Sequence, residues 1–175
     1  MDAPPDISAP DISISDISVS DISAYDGPVT PPMQALLRAA DPNARAVAAY
    51  LAQGQVYICG AADAPYGLMV LLPHAPEGAH VWEVKNIATA TQYQGRGIAS
   101  AMLHIAKQAA QAGGARALMI GTGNSSLAQL RLYQRLGFRM ESVVPDFFAN
   151  YPEPIYENAI LCRDMVRLRY AFDPH

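Results

Sequence analysis

Between Lys85 and Lys107 the chain reads KNIATATQYQGRGIASAMLHIAK. An apolar, β-leaning run, Val81 to Ala90, leads into a turn carrying Gln94, Gly95, Arg96 and Gly97. The turn opens directly into a helical pattern, in which Ile98, Met102, Ile105, Ala109 and Ala112 recur at three- and four-residue steps. Strand, glycine turn and helix N-terminus in that order make a site for an anion. The first turn of a helix has N–H groups without partners, and the helix dipole adds partial positive charge there. Glycine permits the tight turn and lets an anion approach the backbone. Arg96 adds a fixed cation, so the candidate phosphate grip is Gln94, Gly95, Arg96, Gly97, Ile98, Ala99 and Ser100.

Three phosphate loops compete for this stretch, beside the bland possibility of a connecting turn. A Walker loop ends in Gly-Lys followed by Ser or Thr, and no such match is present. A dinucleotide fingerprint needs a third glycine, where this chain has Ser100, and an acid about 20 residues on. The second strand, Ala115 to Thr122, ends without one. The remaining pattern, Q/R-x-x-G-x-G/A, is met by Gln94, Gly97 and Ala99. It resembles motif A of the GNAT superfamily of N-acetyltransferases. The segment GTGNSSLAQLRLYQRLGF resembles that superfamily's motif B, and the likeness covers roughly residues 30 to 170.

Composition narrows the remaining classes. Six of the sixteen acids lie in the first 26 residues, which hold no Lys or Arg; residues 27–175 carry ten acids against twelve bases. Neither part has the clustered bases of a nucleic-acid binder. No apolar run reaches the roughly 18 residues of a membrane span, and the N-terminus lacks the basic start of a signal peptide. Cys59 and Cys162 sit in β-like runs, as small buried hydrophobes rather than a disulfide or metal pair. A reducing cytoplasm is the expected setting, with no metal.

Residues 4–23 are a pentapeptide repeat, PPDIS, APDIS, ISDIS, VSDIS. A period of five keeps no face apolar. Residues 1–26 are expected to be an acidic low-complexity segment, partly disordered or lending an edge strand around Ile12 and Ile14, or Ile17 and Val19. Residues 27–175 form the folded domain. Pro31-Pro32 starts a helix, and Asp41-Pro42 caps a second, Asn43 to Gln53. Strands follow at Gln55–Ala61, Tyr66–Pro73 and Ala79–Thr89, then the long helix, a strand to Thr122, and a helix capped by Ser125 or Ser126. Phe138–Val144 is a strand, 145–158 a loop, and Ile160–Leu168 the last strand. The fold class is α/β, a mixed, mostly antiparallel central sheet with flanking helices, in the order the resemblance implies.

The resemblance implies acetyl-CoA as cosubstrate and an amine as acceptor, joined in a ternary complex. By position, Ile87, Ala88 and Thr89 would hold the pantetheine arm through main-chain groups, as an added strand does. Tyr133 would donate a proton to the leaving thiolate. Its alternative is a half-buried helix tyrosine with its hydroxyl bonded. Asn124 would contact the pantetheine, or Ser126 in its place. Glu83, in an apolar strand, is either the general base facing the acceptor or half of an ion pair with Lys85 or an arginine. Asn86 would help position the acceptor. The N-terminal helices and the loop Asp146 to Glu157, with its aromatics and acids, would build the acceptor site for an apolar amine carrying positive charge. A homodimer through the late strands is the family's habit. The rival class is a CoA-binding sensor that keeps the fold without turnover.

Overall fold

The computed structural model describes residues 21–73, 80–151 and 153–172. The alternating positions Ile12, Ile14, Ile17 and Val19 lie outside them. Strand β1, Ile22–Tyr25, begins in the last pentapeptide and runs two residues past it, with Ile22 buried opposite Cys59 of β2, Gln55–Ala61. The sheet therefore begins before residue 27.

Helix α1, Pro31–Ala40, is capped by Thr30, whose hydroxyl accepts from the Met33 N–H at 3.4 Å. Helix α2, Ala44–Leu51, is capped by Asn43, which accepts from the Ala46 N–H at 3.1 Å. Asp41 is thus not its cap, as the Asp-Pro pair suggested. Its carboxylate instead accepts from the Asn43 N–H at 2.9 Å, one step upstream.

Seven strands make one sheet in the order β1-β2-β3-β4-β5-β9-β6. Here β3 is Ala64–Leu72, β4 Val81–Thr89, β5 Ala117–Gly123, β6 Arg139–Val144 and β9 Met165–Ala171. Every neighbouring pair is antiparallel except β4 and β5. Helices α1 and α2 cover one face, where Met33, Leu37 and Val47 pack on Ile58, Leu68 and Val70. Helix α3, Ile98–Ala112, and helix α4, Leu127–Arg135, cover the other with Trp82, Val84, Leu118 and Ile120.

The stretch predicted as one loop and one long strand divides differently. Ile155–Glu157 (β7) and Ile160–Cys162 (β8) form a separate hairpin, and β9 begins at Met165. Its two turn residues, Asn158 and Ala159, both have left-handed φ, 53° and 58°. That is the twist a two-residue hairpin needs, made here without the glycine that usually signals it.

Two irregularities open the sheet where the site lies. In the first, β4 pairs with β3 as Leu71 with Val84 and Val70 with Asn86, so Lys85 is bulged out. In an unbroken strand Trp82, Val84, Asn86 and Ala88 would share one face. The bulge resets the alternation: Ile87 packs with the α3-side cluster, while Ala88 and Asn86 turn to α1. In the second, the parallel ladder ends at Val84 with Ile120, although β4 runs on to Thr89. From Lys85 to Thr89 the β4 edge facing β5 has no strand partner among the described residues.

Candidate active site

Two cavities meet in that gap. One, of about 460 Å³, is lined by Gln94, Gly95, Gly97, Ile98, Ala99 and Ser100, by Ile87 and Thr89 of β4, and by α4. The other, of about 630 Å³, lies between β4, the α1–α2 connection and the segment from Phe147 to Glu157. Ile87, Gln129 and Tyr133 belong to both walls. An extended ligand with its anionic end at the turn would run along the open β4 edge and bring its far end beside Tyr133 to the second cavity.

The turn leaves room for an anion at the start of α3. Gly95 and Gly97 have φ of 77° and 82°, and a Cβ on either would meet nothing within 4 Å. Backbone conformation, not space, demands glycine there, and the volume in front stays open. Gly97 caps α3 without a side-chain bond, and the first intrahelical bond is Ala101 N–H to the Gly97 carbonyl at 2.9 Å. The N–H groups of Ile98, Ala99 and Ser100 precede it and face the turn. The Arg96 guanidinium lies over the Tyr93 ring at 5.5 Å from its centroid.

Of the three β4 positions expected along the arm, Ile87 and Thr89 line the cavity; the Ala88 side chain packs toward the α1 cluster. Tyr133 is 4 % exposed, and its hydroxyl has no hydrogen bond among the described residues. Burial pushes its phenol up, so the group stays protonated across the neutral range.

Glu83 has the ion-pair partner that was one of its two expectations. Its carboxylate accepts from Lys85 Nζ at 3.1 Å, and it lines the larger cavity. Asn86, 3 % exposed, donates to the Leu37 carbonyl at 3.0 Å and to the Tyr50 hydroxyl at 2.9 Å. Its Oδ1 is buried without a donor among the described residues.

Asn124 is engaged elsewhere. Its amide donates to the Leu161 carbonyl at 3.0 Å, and its oxygen accepts from the N–H groups of Arg163 and Asp164 at 2.8 and 3.0 Å. It braces the entry to β9 and lines neither cavity. Ser126 does line the larger one, but its hydroxyl is not a cap: with Ser125 it donates to Glu157, at 2.6 and 3.0 Å. That clamp seats the β7–β8 hairpin on the N-terminus of α4. Asp41, Tyr50, Gln129 and Tyr151 also line the site; they lie in the N-terminal helices, the motif B segment and the loop from Asp146 that the sequence pointed to, but none was singled out as a site residue. Both thiols are buried, and burial raises their pKa values, Cys59 to about 11. Neither has the depressed pKa of a nucleophile. Among the described residues no cluster of three or more His, Cys, Asp or Glu could hold a metal, and no helix is long and apolar enough to cross a membrane.

A helix start open to an anion, a splayed parallel pair and a buried phenol at the junction suit an enzyme that brings a long anionic ligand up to a second substrate. Residues 41–138 match the Acetyltransferase (GNAT) family, and the chain belongs to it. It is 43% identical over 134 residues to an uncharacterised N-acetyltransferase of Bacillus subtilis (strain 168), YvbK, covering 76% of this chain and 84% of that one. An IAA acetyltransferase from Bacillus cereus ATCC 14579 superposes with a TM-score of 0.79 at 39% identity, covering 86% of this chain and 98% of that one. A GNAT acetyltransferase from Elizabethkingia anophelis, solved with acetyl-CoA bound, gives 0.78 at 38% identity, covering 87% and 99%. The protein is an acetyl-CoA-dependent acyltransferase.

Proposed function

We propose that the protein moves the acetyl group of acetyl-CoA to a primary amine of a small molecule or peptide, by direct transfer in a ternary complex. The observation that carries this reading is the junction of the two cavities at Ile87, Gln129 and Tyr133. One cavity fits the cosubstrate and the other an acceptor, and among the described residues no thiol or serine hydroxyl stands at their junction. Gln94 to Ser100 hold the pyrophosphate, and main-chain groups of Ile87 to Thr89 hold the pantetheine arm. Direct transfer forms a bond from the amine nitrogen to the acetyl carbon and breaks the bond from that carbon to sulfur. The amine must be neutral when it attacks, and Glu83, on the acceptor wall, accepts its proton.

Tyr133 acts at the sulfur. A phenol raised by burial is a weaker acid than a thiol of ordinary pKa, about 8.5. Full proton transfer from Tyr133 alone is therefore uphill. Its part is to donate a hydrogen bond to the departing thiolate and to relay the proton that the attacking nitrogen sheds. The Bacillus cereus relative is named for IAA. The acids Asp41, Glu83 and Glu157, beside the rings of Tyr50, Phe148 and Tyr151, support a cationic acceptor here. A homodimer contact through the β6 edge is the matching assembly, supported by exposed Met140 and Val143 and tested by sedimentation.

Calorimetric titration with acetyl-CoA, beside NAD and ATP, tests the ligand class; thiol release across a panel of amines tests the chemistry. Selective binding followed by amine-dependent release is expected. Binding without release from any amine would favour a sensor, and no binding would reduce the glycine turn to a connector.

A further inference from the structure

The acceptor cavity has a second recognition point, and its assignment rests on the reading of that cavity as an amine site. Asp41 follows α1 as its C-terminal cap and lines the cavity. Its carboxylate accepts from the Tyr50 hydroxyl at 3.5 Å, the Tyr151 hydroxyl at 3.3 Å and the Asn43 N–H at 2.9 Å. These donors are neutral, so they hold the carboxylate in place without compensating its charge. Arg38 shares the wall and forms no ion pair with it among the described residues. Glu83, by contrast, already has Lys85 at 3.1 Å. Tyr151, which comes from the segment after β6, sets its ring against Phe148 at 5.2 Å between centroids. A fixed carboxylate flanked by aromatic side chains is the chemistry that recognises an ammonium group.

An independent observation places the other end of the ligand. Among the described residues Asn86 Oδ1 is a buried acceptor with no donor, on the strand that faces the reacting groups. A buried carbonyl in that state is short of an N–H. Two hydrogen bonds, Asn86 to Tyr50 at 2.9 Å and Tyr50 to Asp41 at 3.5 Å, link this position to the carboxylate. We infer that Asp41 is a specificity-determining residue that selects acceptors carrying a second positive charge a short alkyl chain away from the nitrogen to be acetylated. One nitrogen serves Asn86 beside Ile87, and the other, still protonated, pairs with Asp41.

The test compares cadaverine with n-pentylamine, which differ in the second ammonium alone, on the full chain saturated with CoA. Calorimetry should find cadaverine bound about tenfold or more tightly than n-pentylamine. In Asp41→Asn, which removes the charge but keeps the side chain's shape and one oxygen, placed to accept from the Tyr151 hydroxyl and the Asn43 N–H, the ratio should fall to about one. In turnover the same substitution should raise KM for cadaverine and leave its kcat within about twofold. Equal affinities in the unaltered protein, failure of both amines to bind, or a loss in Asp41→Asn that is the same for both would overturn the assignment. The binding ratio is read without turnover. A protein that discriminates the two amines and acetylates neither would therefore refute the proposed reaction and leave the Asp41 assignment standing.

Discussion

The side-chain amide of Asn86 donates to the hydroxyl of Tyr50 at 2.9 Å, which ties the strand facing the reacting groups to the helix that walls the acceptor cavity. The Tyr50 hydroxyl is 2.9 Å from one partner and passes its own proton toward Asp41 at 3.5 Å. Tyr50→Phe removes both links and leaves the ring in the α1–α2 core. A buried bond to a neutral partner is worth about 1 kcal/mol, and an orphaned partner adds to the cost. The expected outcome is a loss of about 1–2 kcal/mol in urea unfolding, together with a raised KM for the amine. An unchanged unfolding midpoint would show that the network does not hold the helices.

The same residue makes stability sensitive to alkali. Burial, opposed in part by the Asn86 bond and helped by the Asp41 charge, pushes the Tyr50 phenol up to about 12 from 10.0. Burial and the Asp21 charge push the Cys59 thiol to about 11 from 9.0. Between these values the unfolded chain has released protons that the folded chain still holds. Stability is therefore full below about pH 9 and falls as pH rises from there toward 12. Urea midpoints at increasing alkaline pH should decline, and in Tyr50→Phe the decline above pH 10 should be shallower. Parallel slopes for the two proteins would remove Tyr50 from the account.

Tyr133→Phe separates chemistry from folding. The hydroxyl has no partner among the described residues, so its removal breaks no protein hydrogen bond. Urea stability should hold within about 0.5 kcal/mol, and acetyl-CoA affinity within a few-fold. Loss of a proton-handling group costs about 10²-fold or more in turnover, so kcat should drop by that order with KM for the amine little changed. A kcat within twofold of the parent would exclude Tyr133 from the sulfur's proton.

At the glycine turn, Gly97→Ala meets open space but a backbone at φ 82°. Left-handed φ costs a residue with a Cβ about 1–2 kcal/mol. The turn can relax, and the N–H groups of Ile98 to Ser100 then point away from the phosphates. Acetyl-CoA should bind about tenfold more weakly by calorimetry, with a smaller change in the unfolding midpoint. Unaltered affinity would mean that the phosphates do not use this turn.

This part of the site was legible because the information is local. Gln94, Gly97 and Ala99 sit within six residues, and the helix that follows declares itself by Ile98 and Met102. Tyr133 was legible for the same reason, in a short motif beside Gly137. On the acceptor side the contributing segments and Asn86 were legible, but not the contacts that join them: Asp41, Asn86 and Tyr151 are linked through bonds spanning up to 110 positions. Asn124 misled because a turn asparagine that binds backbone and one that binds a ligand look alike in sequence. Its targets, Leu161 of β8 and the N–H groups of Arg163 and Asp164 before β9, follow a hairpin that lacked a glycine to announce it.

That hairpin gives the last prediction. Ser125 and Ser126, buried at the start of α4, both donate to Glu157, and Asn158 donates to the Ser125 carbonyl at 2.8 Å. The carboxylate thus sits at the positive end of α4 and takes the bonds that a capping serine would otherwise give the helix. The turn from Gly123 to Ser126 and the hairpin hold each other, and both carry residues of the acceptor wall. Glu157→Ala leaves two buried hydroxyls without an acceptor and frees the hairpin from α4. Hydrogen exchange should quicken across residues 155–162 and the first turn of α4, while β4 and α3 keep their protection. Amine KM should rise, and acetyl-CoA affinity should stay within about threefold, because Glu157 lines the larger cavity and not the one beside Gly97. Exchange that quickens throughout the sheet would make Glu157 a determinant of the whole fold, and unchanged exchange at the hairpin would show that its two strands stand without the clamp.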